Sequence, residues 1–210
     1  KMGGMRKYTP ITYLTMLIGT LALIGFPGFS GFFSKDAIIE AVHHSQIFGS
    51  GYAFFAVLFG VVITSFYSFR LYFLVFHGKE RMDEHTREHV HETSWVVTVP
   101  LIALAIPSVV AGFLLDPMVV GDFFKGAIAV LPEHDSLQAI REHYHSAIGF
   151  ILHGMMAPPF FLAMGGLAAA WYMYLYKPEL ADMMYEKFGW AHRILSNKYG
   201  FDDFNQLVFA

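Results

Sequence analysis

The first long apolar segment of this sequence is interrupted by Gly25-Phe26-Pro27-Gly28-Phe29-Ser30-Gly31. The apolar run before the interruption, 11–26, would be about 24 Å long as a helix, which is shorter than the hydrocarbon core of a bilayer, about 30 Å. An apolar pattern resumes at 32–40, where it carries Lys35 and Asp36. Backbone groups freed by proline and glycine inside a membrane must be buried in protein or line a wet cavity. The sequence therefore predicts a discontinuous membrane helix, broken at Pro27, Gly28 and Gly31.

The composition is that of a membrane protein. Of the 210 residues, 55% are apolar and only 15% are charged, and the mean hydropathy is +0.46. Soluble domains have about 25% charged residues. Three further apolar segments, at 51–77, 95–115 and 147–176, are long enough to cross a bilayer. We therefore expect an all-α, polytopic membrane helix bundle with four transmembrane spans, the first at about 11–44, followed by a tail at 177–210.

The distribution of basic residues predicts the orientation of these spans. Lysine and arginine cluster before the first span, between the second and third, and after the fourth. By the positive-inside rule, both ends of the chain and the tail 177–210 lie on the cytoplasmic side, here called the in-facing side. Because the chain opens with Lys1 and has no obvious signal peptide, we expect it to be a piece of a longer chain.

Several kinds of site are not expected. The net charge is −3 without a basic cluster, so nucleic acid is not an expected partner. The sequence has no cysteine, which excludes disulfides and cysteine-bound zinc or iron–sulfur clusters within it. The spacing of His85, His89 and His91 could ligate a metal on a helix, but their charged surroundings favour a polar loop. We expect no metal site and no bound cofactor.

The resumed apolar pattern holds the ionisable residues from which a proton path could be built. At helical spacing, Lys35 shares a face with the apolar residues Phe32 and Ile39, whereas Asp36 shares a face with Glu40 and His43. Apolar surroundings disfavour the charged ammonium, so a lysine there could bind and release a proton, whereas a lysine firmly paired with a carboxylate stays charged. We predict a proton relay at Lys35 and Asp36, with Glu40 and His43 as a possible exit path to the out-facing side.

Other interpretations of these residues remain open. Lys35 could extend from a helix end to the headgroups, with Asp36 and Glu40 stabilising a short helix at the interface. Arg70 lies near the in-facing boundary, where it could reach the headgroups or make a polar contact to another helix. His153 could be interfacial or could lie on a proton path. Arg70 and His153 are therefore weaker candidates for the site.

Three stretches resemble a known family. They are Gly25-Phe26-Pro27-Gly28-Phe29-Ser30-Gly31-Phe32-Phe33-Ser34-Lys35-Asp36, then Thr64-Ser65-Phe66-Tyr67-Ser68-Phe69-Arg70-Leu71 with Phe76-His77-Gly78, and Lys198-Tyr199-Gly200-Phe201-Asp202-Asp203-Phe204. Together they resemble the antiporter-like L subunit of proton-pumping NADH–quinone oxidoreductase (respiratory complex I), the counterpart of mitochondrial subunit 5. The resemblance implies that residues 1–210 are the C-terminal part of its proton-translocating membrane domain. It also implies that Lys35 is the lysine of the second broken helix, which passes protons towards the out-facing exit.

The resemblance further implies a function within a larger enzyme. The chain would contribute the out-facing half of a proton-translocation channel coupled to NADH:quinone oxidoreduction. It would carry out no redox chemistry itself, because NADH, FMN, iron–sulfur clusters and quinone are expected in other subunits. Its partners would be other membrane-arm subunits, lipid and the translocated protons. The location would be the bacterial inner (plasma) membrane, in preference to the mitochondrial inner membrane.

Two alternatives to this function remain. A subunit of an Mrp-type multisubunit Na⁺/H⁺ antiporter shares the broken-helix lysine motif, as does a subunit of a membrane-bound hydrogenase. A structural membrane-arm subunit would instead use Lys35 as a permanent ion-pair partner and would have no proton path of its own.

Overall fold

The computed structural model describes residues 2–114, 118, 121, 123–124, 126–128 and 146–209. The connection between the third and fourth predicted spans therefore lies largely outside the described residues, as does residue 115 at the end of the third. The described helices are α1 (Pro10–Ile24), α2 (Ser30–His44), α3 (Ser50–Phe76), α4 (Glu84–His89), α5 (Trp95–Leu114), α6 (Ala147–Met156), α7 (Pro158–Trp171), α8 (Glu179–Lys187), α9 (Gly189–Ser196) and α10 (Phe201–Phe209). A π-helical turn, Tyr172–Tyr176, extends α7.

Among the described helices, α3 and the stretch Trp95–Phe113 of α5 are each long and apolar enough to cross a membrane. The pair α6 and α7, extended to Tyr176, passes the same test only when taken together, and it is bent by 62° at its break. Helix α1 is apolar but has only 15 residues. A crossing that begins with α1 therefore has to be completed by α2.

Helices α1 and α2 run one after the other along α3. The ring of Tyr13, near the start of α1, stacks on that of Tyr72 near the end of α3, with 5.4 Å between the ring centroids. The ring of His43, at the end of α2, lies 4.8 Å from that of Phe54 near the start of α3. The two short helices thus continue in one direction, antiparallel to α3. The prediction of an all-α, polytopic membrane helix bundle is confirmed, and its first predicted span consists of two helices separated by a break.

The interior of the bundle is formed where α1, α3 and α7 meet. Its buried apolar cluster consists of Ile24, Phe69, Tyr72, Phe73, Phe76 and Ala170. Small residues on one face of α7, among them Ala163 and Gly166, allow α3 to approach closely. The hydroxyl of Ser65 on α3 donates to the backbone carbonyl of Ala163 over 2.6 Å, so a hydrogen bond joins the two helices inside the bundle.

A carboxylate from the loop before α5 holds the N-terminus of α1. Glu92 accepts hydrogen bonds from the backbone amides of Ile11 and Thr12, over 2.7 and 3.3 Å, and from the Thr12 hydroxyl over 2.7 Å. The first amides of a helix lack partners within it, and the positive end of the helix dipole favours an anion there. Glu92 therefore acts as the N-terminal cap that α1 otherwise lacks, because the side chain of Thr9 makes no capping hydrogen bond.

Replacing Glu92 with alanine should destabilise the subunit by about 1 kcal/mol, the usual effect of losing such a cap. Although partial burial alone would raise the pKa of Glu92, hydrogen bonds from the Thr12 hydroxyl and nearby amides lower it below its ordinary 4.5. The stabilisation by Glu92 is therefore complete above about pH 4.5, the pKa of the unfolded chain. It disappears as the pH falls through the lower pKa that Glu92 has in the folded protein. Thermal unfolding at pH 7 and at acidic pH, with Glu88→Ala on the exposed face of α4 as control, checks this. An equal difference between wild type and Glu92→Ala at both pH values would contradict it.

Candidate functional site

The break between α1 and α2 is a tight turn of five residues, 25–29. Helix α1 ends at Gly25, whose φ of 75° is favourable only for glycine, and the amide of Phe26 donates to the carbonyl of Leu21 over 2.9 Å. Pro27 and Gly28, with a φ of 94°, form the turn. The carbonyl of Phe29 accepts a hydrogen bond from the amide of Phe32, so the first turn of α2 begins at this point. Gly31, predicted as part of the break, therefore belongs to the first turn of α2.

Gly31 is needed because the two helices touch at the junction. A methyl group on Gly31 would overlap the carbonyl oxygen of Ala22 and would lie 2.9 Å from its carbon. The first turn of α2 therefore packs directly on the backbone of the last turn of α1. This contact fixes how far α2 lies from the free carbonyl groups at the end of α1.

Lys35 reaches back across the junction. Its Nζ donates a hydrogen bond to the backbone carbonyl of Leu23, in the last turn of α1. The carbonyls at the end of a helix carry its negative partial charge, so they are suited to a cation. Among the described residues, Lys35 forms no ion pair. In the part of the chain that the structure describes, the side chain of Lys35 is thus held by a neutral dipole and not by a carboxylate.

Asp36 is buried, with 6% of its surface exposed, and it lines the same cavity as Lys35. The cavity has a volume of about 20 Å³, room for about one water molecule. Its walls come from the first helix break, from Val61 on α3, and from Pro159 and Phe160 at the start of α7. Helical spacing assigns Lys35 and Asp36 to different stripes of α2, but both residues line this one cavity, Asp36 as a buried residue and Lys35 as a half-buried one.

From Asp36, ionisable side chains continue towards the outer end of α2. Glu40 lies one turn further along, and its Oε1 is 4.0 Å from Nε2 of His153 on α6. Both Glu40 and His153 lie close enough to Asp36 to interact electrostatically with its carboxyl group. The His153 side chain is mostly exposed. The structure thus brings together Lys35, Asp36, Glu40 and His153 in a row from the helix break to the surface.

Two predicted residues lie apart from this row. His43 is exposed, and its ring contacts those of His44 and Phe54, at 5.1 and 4.8 Å between centroids, instead of lining the cavity. Arg70 lies in the other half of α3, where its Nε donates to the hydroxyl of Tyr174 over 2.9 Å. Its guanidinium also lies 5.4 Å from the centroid of the Tyr174 ring. Arg70 therefore joins α3 to the π-helical turn after α7.

A second helix break was not predicted from the sequence. The predicted continuous span 147–176 is bent by 62° between α6 and α7. The signal was Pro158-Pro159, because proline is favoured in the first turn of a helix and disrupts one that has already begun. The two breaks face each other, with 6.2 Å between the ring centroids of Phe26 and Phe160. The cavity at Lys35 lies between them.

The described part of the chain contains no group of three or more histidine, aspartate or glutamate side chains arranged to hold a metal ion. His85 and His89 lie together on α4, with 4.7 Å between their ring centroids, and Nδ1 of His89 contacts the carbonyl oxygen of His85 over 2.8 Å. This contact occupies one ring nitrogen of His89. The polar segment predicted as a loop thus contains a short helix.

Comparison with known proteins places these features in a family. Residues 1–64, which include the first break, Lys35 and Asp36, match the family described as NADH:quinone oxidoreductase/Mrp antiporter, TM. Over its whole length the chain is 44% identical to NADH-quinone oxidoreductase subunit L of Neisseria meningitidis serogroup A, of which it covers 34%. The chain is related to subunit L. It is also 34% identical over its whole length to NAD(P)H-quinone oxidoreductase chain 5 of a Picosynechococcus species, of which it covers 32%.

A further match covers less of the chain. Over 65% of its length the chain is 44% identical to NADH-ubiquinone oxidoreductase chain 5 of Chondrus crispus, of which it covers 22%. The predicted resemblance to the L subunit and its chain 5 counterparts is therefore confirmed. The chain spans about a third of the length of the subunit L of Neisseria meningitidis. These relatives are subunits of an enzyme complex, and the chain is a multi-pass membrane protein.

Proposed function

We propose that this chain contributes the out-facing half of a proton-translocation channel to the membrane arm of NADH:quinone oxidoreductase. The observation that carries the proposal is Lys35, which lies at a helix break without a carboxylate partner among the described residues and shares a water-sized cavity with the buried Asp36. Ionisable groups inside a membrane are costly, and they are typical of ion and proton pathways. The matches to quinone oxidoreductase subunits support the same function.

The row of side chains suits a stepwise outward transfer. Lys35, as an ammonium, gives a proton through a water in the cavity to the Asp36 carboxylate, which leaves a neutral amine and a neutral carboxylic acid. Asp36 then passes the proton on to Glu40 and His153, which lie at the outer end of the row. Lys35 is protonated again from the part of the subunit that precedes this chain. Each step moves one proton. Asp36 is a buried carboxylate again once it has passed its proton on, and reprotonation of Lys35 restores the opposite charge in the same cavity.

The remaining chemistry belongs to the assembled enzyme. NADH, FMN, the iron–sulfur clusters and quinone are held by other subunits, and energy from their redox reactions drives the proton through this one. The partners of the chain are the neighbouring membrane-arm subunits and lipid. We place the complex in the bacterial inner membrane. The crossings are 11–44, 51–77, 95–115 and 147–176, and both ends of the chain with the tail 177–210 are cytoplasmic. A mitochondrial inner membrane is the alternative location.

Two observations favour other functions. The family that matches residues 1–64 also includes Mrp antiporters, in which the coupled ion would include Na⁺. The hydrogen bond from Lys35 to the Leu23 carbonyl would equally serve a structural subunit, because it caps the end of α1. In that case the lysine would hold the break together and would not exchange its proton.

Two substitutions of Lys35 in the full-length subunit distinguish a proton relay from a structural function in which Lys35 only caps the end of α1. Lys35→Arg keeps a charged donor that can reach Leu23 but does not release a proton near neutral pH, and Lys35→Met removes both properties. We expect complexes with either variant to assemble and oxidise NADH, and both to lose the share of proton pumping that passes through this subunit. Proton uptake per electron in reconstituted vesicles measures this.

The control is Ile38→Met, on the exposed face of α2 three residues away. A structural function predicts a different pattern: Lys35→Arg pumps normally, and Lys35→Met fails to assemble. An Mrp-type antiporter predicts that proton movement depends on Na⁺ and that no NADH-oxidising subunits copurify.

A further inference from the structure

Two hydroxyl groups inside the bundle form no hydrogen bond of ordinary geometry in the part of the chain that the structure describes, although that of Tyr72 lies close to the hydroxyl of Tyr13. Ser68 and Tyr72, one turn apart on α3, are 5% and 2% exposed, and neither hydroxyl has a hydrogen-bond partner of ordinary geometry there. A buried polar group without a partner costs about 1–3 kcal/mol. Alanine and phenylalanine would fill the same positions without that cost. The two hydroxyls therefore point to a function other than packing.

The two groups belong to a longer polar row along the inside of α3. One turn towards the outer side lies Ser65, which donates to the carbonyl of Ala163. One turn further, Val61 lines the cavity that holds Lys35 and Asp36. A polar group thus stands at nearly every turn between the cavity and Tyr72.

The row continues to the in-facing end of α3. The ring of Tyr13 stacks on that of Tyr72, and its hydroxyl lies 3.5 Å from Nε2 of His77. His77 lines an opening of about 340 Å³, together with the basic side chains of Arg6 and Lys7. From residue 61 to residue 77 the distance along the helix is about 24 Å. The row therefore spans most of the thickness of a bilayer core, from an open pocket to the middle of the bundle.

The chemistry of the row suits water and protons. Serine and tyrosine hydroxyls both donate and accept, so each can pass a proton between two water molecules. A neutral histidine ring such as that of His77 offers one donor and one acceptor. Buried water typically occupies sites where several polar groups are otherwise unsatisfied.

We propose that the Ser68 and Tyr72 hydroxyls line a hydrated row that carries protons from the in-facing pocket at His77 to the cavity at Lys35. The inference rests on the proposed function and adds to it, because it gives Lys35 access to the in-facing side within this chain. An access route here supplements the reprotonation of Lys35 from the preceding part of the subunit.

Removing the hydroxyls tests the row. Tyr72→Phe and Ser68→Ala should leave the full-length subunit assembled and NADH oxidation intact, and should lose part of the proton pumping that Lys35→Met loses. Tyr67→Phe, which removes a hydroxyl from the exposed face of the same helix, is the matched control and should pump normally. If Tyr72→Phe and Ser68→Ala pump like Tyr67→Phe while Lys35→Met loses its share of pumping, the proposed hydrated row is contradicted and the proton relay at Lys35 is not. If Lys35→Met pumps normally, the relay itself fails.

A second measurement reports hydration without relying on pumping. The 210 residues contain no cysteine, so Ser68→Cys introduces a single thiol into this part of the subunit. In inside-out membrane vesicles containing the whole complex, a small charged thiol reagent should label Ser68→Cys faster than Tyr67→Cys, because only the first would be in contact with water from the in-facing side. Labelling is read from the mass of the modified peptide. Equal or slower labelling of Ser68→Cys would overturn the proposal.

Discussion

Replacing Gly31 with alanine should prevent the complex from assembling with this subunit in place. The added methyl group would overlap the carbonyl oxygen of Ala22. Because this oxygen belongs to the backbone, it cannot rotate out of the way as a side chain could. To remove this clash, α2 would have to move away from the end of α1. This movement would pull the ammonium of Lys35 away from Leu23 and would open the cavity. Overpacking of a rigid contact typically costs about 1–3 kcal/mol and sometimes more. We expect the upper part of that range, because a Cβ is fixed to its own backbone and the atoms that it would meet are main chain.

The amount of complex in native gels of solubilised membranes measures this effect. Gly19→Ala is the control, because a methyl group there would meet no atom of another described helix within 4 Å. In the interior of α1, alanine is favoured over glycine by about 1 kcal/mol, so Gly19→Ala should assemble at least as well as the wild type. Normal assembly of Gly31→Ala would show that the junction is looser than described here.

The first helix break could be predicted from the sequence because its signals are local. Pro27 and Gly28 stop a helix whatever surrounds them, and the run before them is too short to cross a bilayer. The second break depends on more than its residues. Pro158-Pro159 is compatible with a kink within one helix or with the start of a new one, and the choice depends on what packs beside Ala157. In the structure, Phe26 contacts Phe160 and Phe32 packs against Gly154, one on each side of this break.

At the candidate site, too, the contacts between different helices could not be predicted from the sequence. Helical spacing correctly placed Asp36 and Glu40 on one face of α2, and it extended that face to His43 by a further turn. In the structure, Glu40 also lies 4.0 Å from Nε2 of His153, which is 113 residues away in the sequence and comes from another helix. Periodicity describes one helix at a time, so it gives no signal for such a pair. The same is true of the hydrogen bond from Lys35 to Leu23, which depends on the angle between α1 and α2.

Replacing Gly166 with valine should have an effect as large as that of Gly31→Ala, at the other main contact of the bundle. A Cβ atom on Gly166 would lie 2.6 Å from the carbonyl oxygen of Val62 and 2.9 Å from Cβ of Ser65, so α3 and α7 would have to separate. Separation would also break the hydrogen bond from Ser65 to Ala163 and leave a fully buried hydroxyl without a partner. The packing term is about 3 kcal/mol and the orphaned hydroxyl adds about 1–3 kcal/mol.

The adjacent Gly165 provides a matched control for this prediction. It lies on the exposed face of α7, where an added Cβ would meet no atom of another described helix within 4 Å, so Gly165→Val changes composition and helix propensity equally without touching α3. We expect Gly165→Val to give normal amounts of complex with a normal unfolding temperature, and Gly166→Val to give almost none. Because α7 also supplies Pro159 and Phe160 to the cavity, any Gly166→Val complex that does assemble should pump fewer protons per electron. Equal stability of the two variants would contradict the close α3–α7 contact, and with it the wall that encloses Lys35 and Asp36.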